Sequence, residues 1–205
     1  MATLSAAAFM VVVALLAGTM PAEAAFPGTN GKMAFTSSTP TQGLDGMEIV
    51  SASPNGTSPV VNLTKSSFRD DNAEYSPNGK KIVFSSNRDA YPSSGAREIY
   101  SMSASGTLQT ILTKNPADDF DPAWSPDGKK IAFMSTRDGP LEVYTMNPDG
   151  TGVKRLTNNS IGEENLAWSP DGTKIAFNDP PGTIFFSQDI YVMNADGTRP
   201  SASSG

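Results

Sequence analysis

Two short patterns alternate along this chain, and their spacing leaves few folds open to it. The first reads YSPNGKKIVFSS from Tyr75, WSPDGKKIAFMS from Trp124 and WSPDGTKIAFND from Trp168. The second follows each copy, as REIYSMSASGT from Arg97, LEVYTMNPDGT from Leu141 and QDIYVMNADGT from Gln188. A weaker copy comes earlier, with GKMAFTSS from Gly31 and MEIVSASPNGT from Met47. The equivalent phenylalanines are Phe35, Phe84, Phe133 and Phe177, spaced by 49, 49 and 44 residues. A period of this length is the signature of stacked propeller blades.

Each unit reads as four short strands. In the clearest unit they cover residues 123–125, 130–135, 142–146 and 153–157, the last ending in Leu156-Thr157. Leu63-Thr64 and Leu112-Thr113 close the earlier units. In the Ser-Pro-Asp-Gly turns, proline supplies a φ of about −65° and glycine takes a positive φ, which together make tight hairpins. Asn147-Pro148-Asp149-Gly150 does the same between third and fourth strands, with variants at Asn194-Ala195-Asp196-Gly197 and Ser53-Pro54-Asn55-Gly56. No stretch beyond Ala25 carries a useful helical period.

One such sheet cannot bury both its faces, but neighbours stacked around a channel can. The expected fold is therefore an all-β β-propeller of repeated four-stranded antiparallel blades, about four units over residues 25–200. Ile82, Ile131, Ile175, Trp124, Trp168, Met102, Met146 and Met193 join the four phenylalanines as packing between blades. The first unit lacks its Ser-Pro-Asp-Gly strand, and the last stops after Pro200, before a low-complexity tail at 201–205. Three, four, four and three strands make fourteen, so an incomplete propeller with exposed strand edges is expected.

Composition removes several function classes. The net charge is −6 with no run of lysine or arginine, which disfavours nucleic acid and anionic membranes. There is no cysteine and no histidine. Disulfides, thiol catalysis, Ser-His-Asp chemistry and the commonest zinc ligand are all excluded. No catalytic residue, cofactor or firm metal site is assigned. Residues 6–18 (AAAFMVVVALLAG) are apolar but fall short of the about 20 residues of a membrane span. With Ala22-Glu23-Ala24 after them, they read as a signal peptide over residues 1–24, cleaved after Ala24. The mature chain then has no stable membrane anchor and is periplasmic or extracellular.

One recurrent feature goes beyond packing. An acidic pair precedes each first strand: Asp70-Asp71, Asp118-Asp119 and Glu163-Glu164, with Asp121 added to the second. Placed in loops on one face near the channel mouth, these seven acids are candidates for weakly bound calcium or for a basic segment of a partner protein. The competing reading has them capping turns and bonding amides of the adjoining blade. Arg88-Asp89 and Arg137-Asp138 recur after the second strand, as a ligand-facing rim or as local loop-shaping pairs.

The run WSPDGKKIAF, EVYTMNPDGT and RLT resembles the WD-like repeat of the TolB-like β-propeller family, and the match covers nearly all of residues 31–200. The resemblance implies a periplasmic or secreted non-catalytic scaffold that binds other proteins. It departs from TolB itself in lacking room for an α/β domain between the cleavage site and the first strand. Two alternatives share similar repeats. One is the propeller of a prolyl-oligopeptidase-like serine peptidase, although Gly-x-Ser-x-Gly and a later histidine are missing here. The other is a carbohydrate-active propeller such as a lyase, against which the absence of histidine weighs.

Overall fold

The computed structural model describes residues 31–38, 46–56, 59–89, 95–158, 162–178, 190–198 and 201–202. The expected signal peptide lies outside these residues. Among the described residues, fifteen strands form four antiparallel sheets, each a simple meander. The first sheet holds β1 (Met33–Ser38), β2 (Met47–Ala52) and β3 (Val61–Asn62). The second holds β4 (Asp70–Tyr75), β5 (Lys81–Ser86), β6 (Glu98–Ser103) and β7 (Thr110–Ile111). The third holds β8 (Asp119–Trp124), β9 (Ile131–Ser135), β10 (Glu142–Met146) and β11 (Lys154–Arg155). The fourth holds β12 (Glu164–Trp168), β13 (Lys174–Asn178), β14 (Ile190–Asn194) and β15 (Ser201–Ala202).

The strand count exceeds the expected fourteen by one, and the extra strand lies in the presumed tail. Ser201 pairs with Val192 and Ala202 with Tyr191. That is the register in which Thr110 and Ile111 pair with Ser101 and Tyr100. Main-chain hydrogen bonds hold such an edge strand, so it needs no apolar side chain and its composition conceals it.

The hairpins form as the turn chemistry dictates. Gly79, Gly128 and Gly172 have φ of 67°, 69° and 69°, and each donates its N–H to the carbonyl of the serine three residues earlier. The middle Asn or Asp completes the turn. Asp127 Oδ1 accepts from Ser125 Oγ at 2.7 Å and from Lys129 N–H at 3.0 Å, and Asn78 and Asp171 do the same.

Sheets stack face to face in chain order, with β4, β8 and β12 side by side on the inside. Strands β5, β9 and β10 are buried on both faces, and alternate side chains enter different cores. Ile49 and Leu63 meet Ile82, Phe84, Tyr100 and Met102 between the first two sheets. Val83 and Ile99 meet Ile131, Phe133, Tyr144 and Met146 between the next two. Ala132, Met134 and Val143 meet Ile175, Phe177 and Met193 between the last two. Each fully buried Phe, Ile or Met contributes about 1.5–3 kcal/mol relative to exposure. Phe35 departs from the expected packing. It is 41% exposed, because it sits on the face of the first sheet turned away from the second. Trp168 is half-buried and packs against the core between the last two sheets.

Third-to-fourth-strand turns lock neighbouring sheets together. A Cβ on Gly150 (φ 85°) would lie 2.5 Å from the carbonyl oxygen of Leu112 in the preceding sheet, and one on Gly106 equally close to that of Leu63. Gly79 has open space around it. Gly79→Ala is expected to cost about 1–2 kcal/mol, the strain of a left-handed residue alone. Gly150→Ala is expected to cost at least about 1 kcal/mol more by forcing the sheets apart. Denaturant unfolding of the two variants gives the comparison.

Candidate functional site

The inner strands begin earlier than the sequence suggested. β8 starts at Asp119 instead of residue 123, so Asp119 and Asp121 are strand residues, as are Asp70, Asp71 and Glu164. A bulge accounts for the extra length. Phe120 pairs with Met134 and Ala123 with Ala132, so one residue more is spent on β8 than on β9. The same shift occurs in β4 and β12. At each bulge one residue turns left-handed: Asn72, Asp121 and Asn165, with φ of 52°, 54° and 52°. Asn and Asp are the side-chain-bearing residues that tolerate this best.

With the bulges aligned, the acids fall into three separate sets. Asp70, Asp119 and Glu163 are equivalent, each six residues before the turn serine and at most 1% exposed. They lie in polar seams between sheets. Asp119 Oδ2 accepts from Arg137 at 2.8 Å and from Asn115 Nδ2 at 2.6 Å. Asn115 N–H in turn donates to Glu98 Oε1 at 2.9 Å. The preceding seam repeats this: Asp70 Oδ2 accepts from Arg88 and Ser66 Oγ, and Ser66 N–H donates to Glu48.

Glu98 and Glu142 open β6 and β10, and Glu48 is the second residue of β2; all three are at most 4% exposed and were not among the expected site residues. Their signal was the recurrent acid before Ile-Val, Ile-Tyr or Val-Tyr, in step with Leu-Thr fourteen to sixteen residues later. Each threonine hydroxyl (Thr64, Thr113, Thr157) accepts the N–H that follows this glutamate. Burial raises the Glu98 carboxyl above its ordinary value, and the Asp119 charge adds to the rise.

Arg88 and Arg137 do not pair with the aspartates beside them. Each guanidinium covers a stacked Phe–Tyr pair, Arg137 lying 5.2 Å from the Phe133 centroid and 4.9 Å from that of Tyr144. The neighbouring Asp138 accepts from Tyr144 Oη, as Asp89 does from Tyr100 Oη.

Asp71 and Asp118 form the second set, claimed by Arg69 and Arg97. Arg97 binds Asp118 through Nε at 3.0 Å and Nη2 at 2.7 Å, lies 3.9 Å from Asp71, and stacks 3.9 Å over Phe120. Desolvation works to raise the Asp118 carboxyl, but its bonds to Arg97 outweigh that and hold it below the ordinary value. Among the described residues no group of three or more acidic side chains is placed to hold a metal ion. The Glu164 side chain lies outside the description.

Asp121 stands apart, over the inner strands. It accepts from Asn72 Nδ2 at 3.2 Å and from the Leu166 N–H, which ties β4, β8 and β12 together. Beside it Glu74 accepts the Trp124 N–H at 2.6 Å. Burial pushes the Glu74 carboxyl up to about 7, against that hydrogen bond, and Asp121 adds to the rise. Sequence gave no sign of Glu74, whose equivalents are Ala123 and Ala167. These two acids edge a cavity of about 430 Å³ lined also by Trp124, Trp168, Leu166 and Pro170.

Four meandering antiparallel sheets stacked through their faces, with first strands side by side on the inside, define a β-propeller protein. Residues 73–199 match the TolB beta propeller domain, and the chain belongs to that family. The structure is similar to a putative TolB from Agrobacterium tumefaciens, with TM-score 0.73 and 24% identity over 84% of this chain and 60% of that one. TolB from Acinetobacter baumannii gives 0.68 and 22%, over 84% and 41%. A chain of a nidogen/laminin complex gives 0.68 and 14%, over 88% and 63%. The protein thus spans 60% and 41% of the length of those two TolB chains. No curated protein matches the sequence significantly.

Two measurements follow from this arrangement. Arg137→Met leaves Asp119 charged, buried and without its cation, and is expected to cost about 3–5 kcal/mol in urea unfolding. Adding Asp119→Leu is expected to recover most of that loss. Glu74 holds its proton to higher pH folded than unfolded, so its contribution to stability is whole below its ordinary value of 4.5 and is lost as pH rises through about 7. Unfolding free energy is expected to fall by about 2–3 kcal/mol more between about pH 5 and pH 8 in the parent than in Glu74→Gln.

Proposed function

We propose that this chain is an exported, non-catalytic scaffold that binds a partner protein, and that the cavity over the inner strands receives an extended segment of that partner. The cavity carries the reading. It sets an apolar wall of Trp168, Trp124, Leu166 and Pro170 beside two carboxylates, Glu74 and Asp121. Few polar groups among apolar and aromatic ones is the usual make-up of a recognition groove, and a half-buried tryptophan is a frequent anchor. The carboxylates favour a segment bearing lysine or arginine.

Other observations support the reading. The chain holds neither histidine nor cysteine. Asp70, Asp71, Asp118 and Asp119 are each engaged by an arginine. Family membership favours a scaffold, and the apolar stretch at residues 6–18 favours export. No helix among the described residues is long and apolar enough to cross a membrane.

A single preparation tests both halves of the proposal. Protein recovered from the periplasm or medium of an expressing bacterium is expected to begin at Ala25 by mass spectrometry. Peptides selected on it from a displayed library are expected to be basic, and to bind at least about tenfold more weakly to Trp168→Ala. Retention of residues 1–24 overturns export, and selection of only Trp168-insensitive peptides overturns the groove.

A further inference from the structure

The inner strands repeat one another, and the chain breaks its own pattern at two places on the edge of one cavity. At the bulge, Asn72, Asp121 and Asn165 share a left-handed backbone. Asparagine accepts that backbone as readily as aspartate, so the turn does not need the charge of Asp121. Two residues further along, Glu74 stands where β8 and β12 carry Ala123 and Ala167, so a methyl group is enough to build the strand. The fold requires neither carboxylate, yet both edge the same cavity of about 430 Å³. Among the described residues neither takes part in an ion pair.

Strand β4 packs beside β1, β2, β5 and β8. Of the charged groups these strands bring, Asp121 of β8 is the one that acts on Glu74. β1 carries none. Glu48 of β2 is bound by Thr64 and Ser66, Asp119 of β8 by Arg137, and Lys81 of β5 acts on Asp149. Asp121 itself feels Arg97 and Asp71, but Arg97 is held by Asp118 through two bonds, at 3.0 and 2.7 Å.

We infer that this cavity takes up a lysine or arginine side chain of its partner in exchange for a proton, so that acid releases the partner. The inference rests on the cavity being the partner groove. Apolar walls of Trp124, Trp168 and Leu166 desolvate the two carboxylates, and desolvation and like charge both favour a neutral member of the pair. Burial pushes the Glu74 carboxyl up to about 7, so it carries that proton in mild acid. A cation beside the pair reverses the balance. Opposite charge favours the ionised form, the Glu74 proton leaves to solvent, and a charge-assisted hydrogen bond from the cation takes its place. Binding is then linked to proton release, and affinity falls as pH drops through about 7.

Titration calorimetry on the full chain tests this with the blocked peptide acetyl-Ala-Pro-Lys-Pro-Ala-amide, whose prolines keep it extended and whose lysine is its sole charge. At constant ionic strength it is expected to bind at least about tenfold tighter at about pH 8 than at about pH 5. At about pH 6, two buffers of different ionisation heat are expected to count close to about one proton released per peptide. Glu74→Gln is expected to bind at every pH as weakly as the parent does in acid, and to release no proton. Binding that Trp168→Ala weakens, but that releases no proton and ignores pH, overturns the exchange and leaves the groove standing. A pH dependence that survives in Glu74→Gln also overturns the exchange. A peptide that binds the parent at no pH, or binds Trp168→Ala equally well, overturns the groove and the exchange with it. Circular dichroism checks folding, and Glu74→Ala, which copies Ala123 and Ala167, replaces Glu74→Gln should that variant unfold.

Discussion

The second and third sheets bury apolar side chains on both faces, and that constraint governs the rest. A sheet with one wet face alternates polar with apolar residues, whereas β5, β9 and β10 bury nearly every side chain they carry. Such a strand is stable only between two others. The close turns serve the same requirement. Gly106, Gly150 and Gly197 let each third-to-fourth-strand hairpin rest directly on the leucine that ends the preceding sheet. A side chain at these positions would open the seam at its outer edge and loosen the apolar packing further in.

Apolar stacking alone would let the sheets slide, because hydrophobic contact has no direction. The polar seams supply direction. A glutamate on one sheet and an aspartate on the next reach the same intervening loop, through Ser66 in one seam and Asn115 in the other, and an arginine pins the aspartate from its own sheet. Ion pairs this buried gain little net energy, since desolvation offsets most of the attraction. They do penalise misalignment, because a shift of one residue would strand a carboxylate in an apolar interior. The repeated threonine that follows each leucine adds a main-chain bond to the same corner.

Much of this could be read from sequence, and the failures have physical causes. The turns and the 49-residue period set the hairpins and the stacking, since proline and glycine fix φ locally. The acids were expected in loops, but the bulged inner strands reach far enough to take Asp70, Asp71, Asp119 and Asp121 into the sheets. Asp119, six residues before its turn serine, is the equivalent of Asp70, and Asp118 outside the strand goes to Arg97. A bulge leaves little trace in composition beyond an Asn or Asp at its left-handed position. Glu48, Glu98 and Glu142 escaped notice because a glutamate in a strand ordinarily faces water. Phe35 matches its buried equivalents letter for letter, and its exposure depends on which sheet lies beside it.

The inner strands carry the chemistry that differs between blades. Outer positions repeat because each must fit the same seam, whereas Glu74, Ala123 and Ala167 occupy equivalent places with unlike side chains. Only the first of these is charged, and it faces Asp121, a bulge residue whose left-handed backbone turns its carboxylate toward the neighbouring strand. Two carboxylates sharing a partly buried site disfavour each other's ionised form. A cation entering the cavity would relieve that repulsion and draw both toward ionisation. The inner strands therefore hold Glu74 and Asp121 in a state whose electrostatic cost a positively charged occupant would lower.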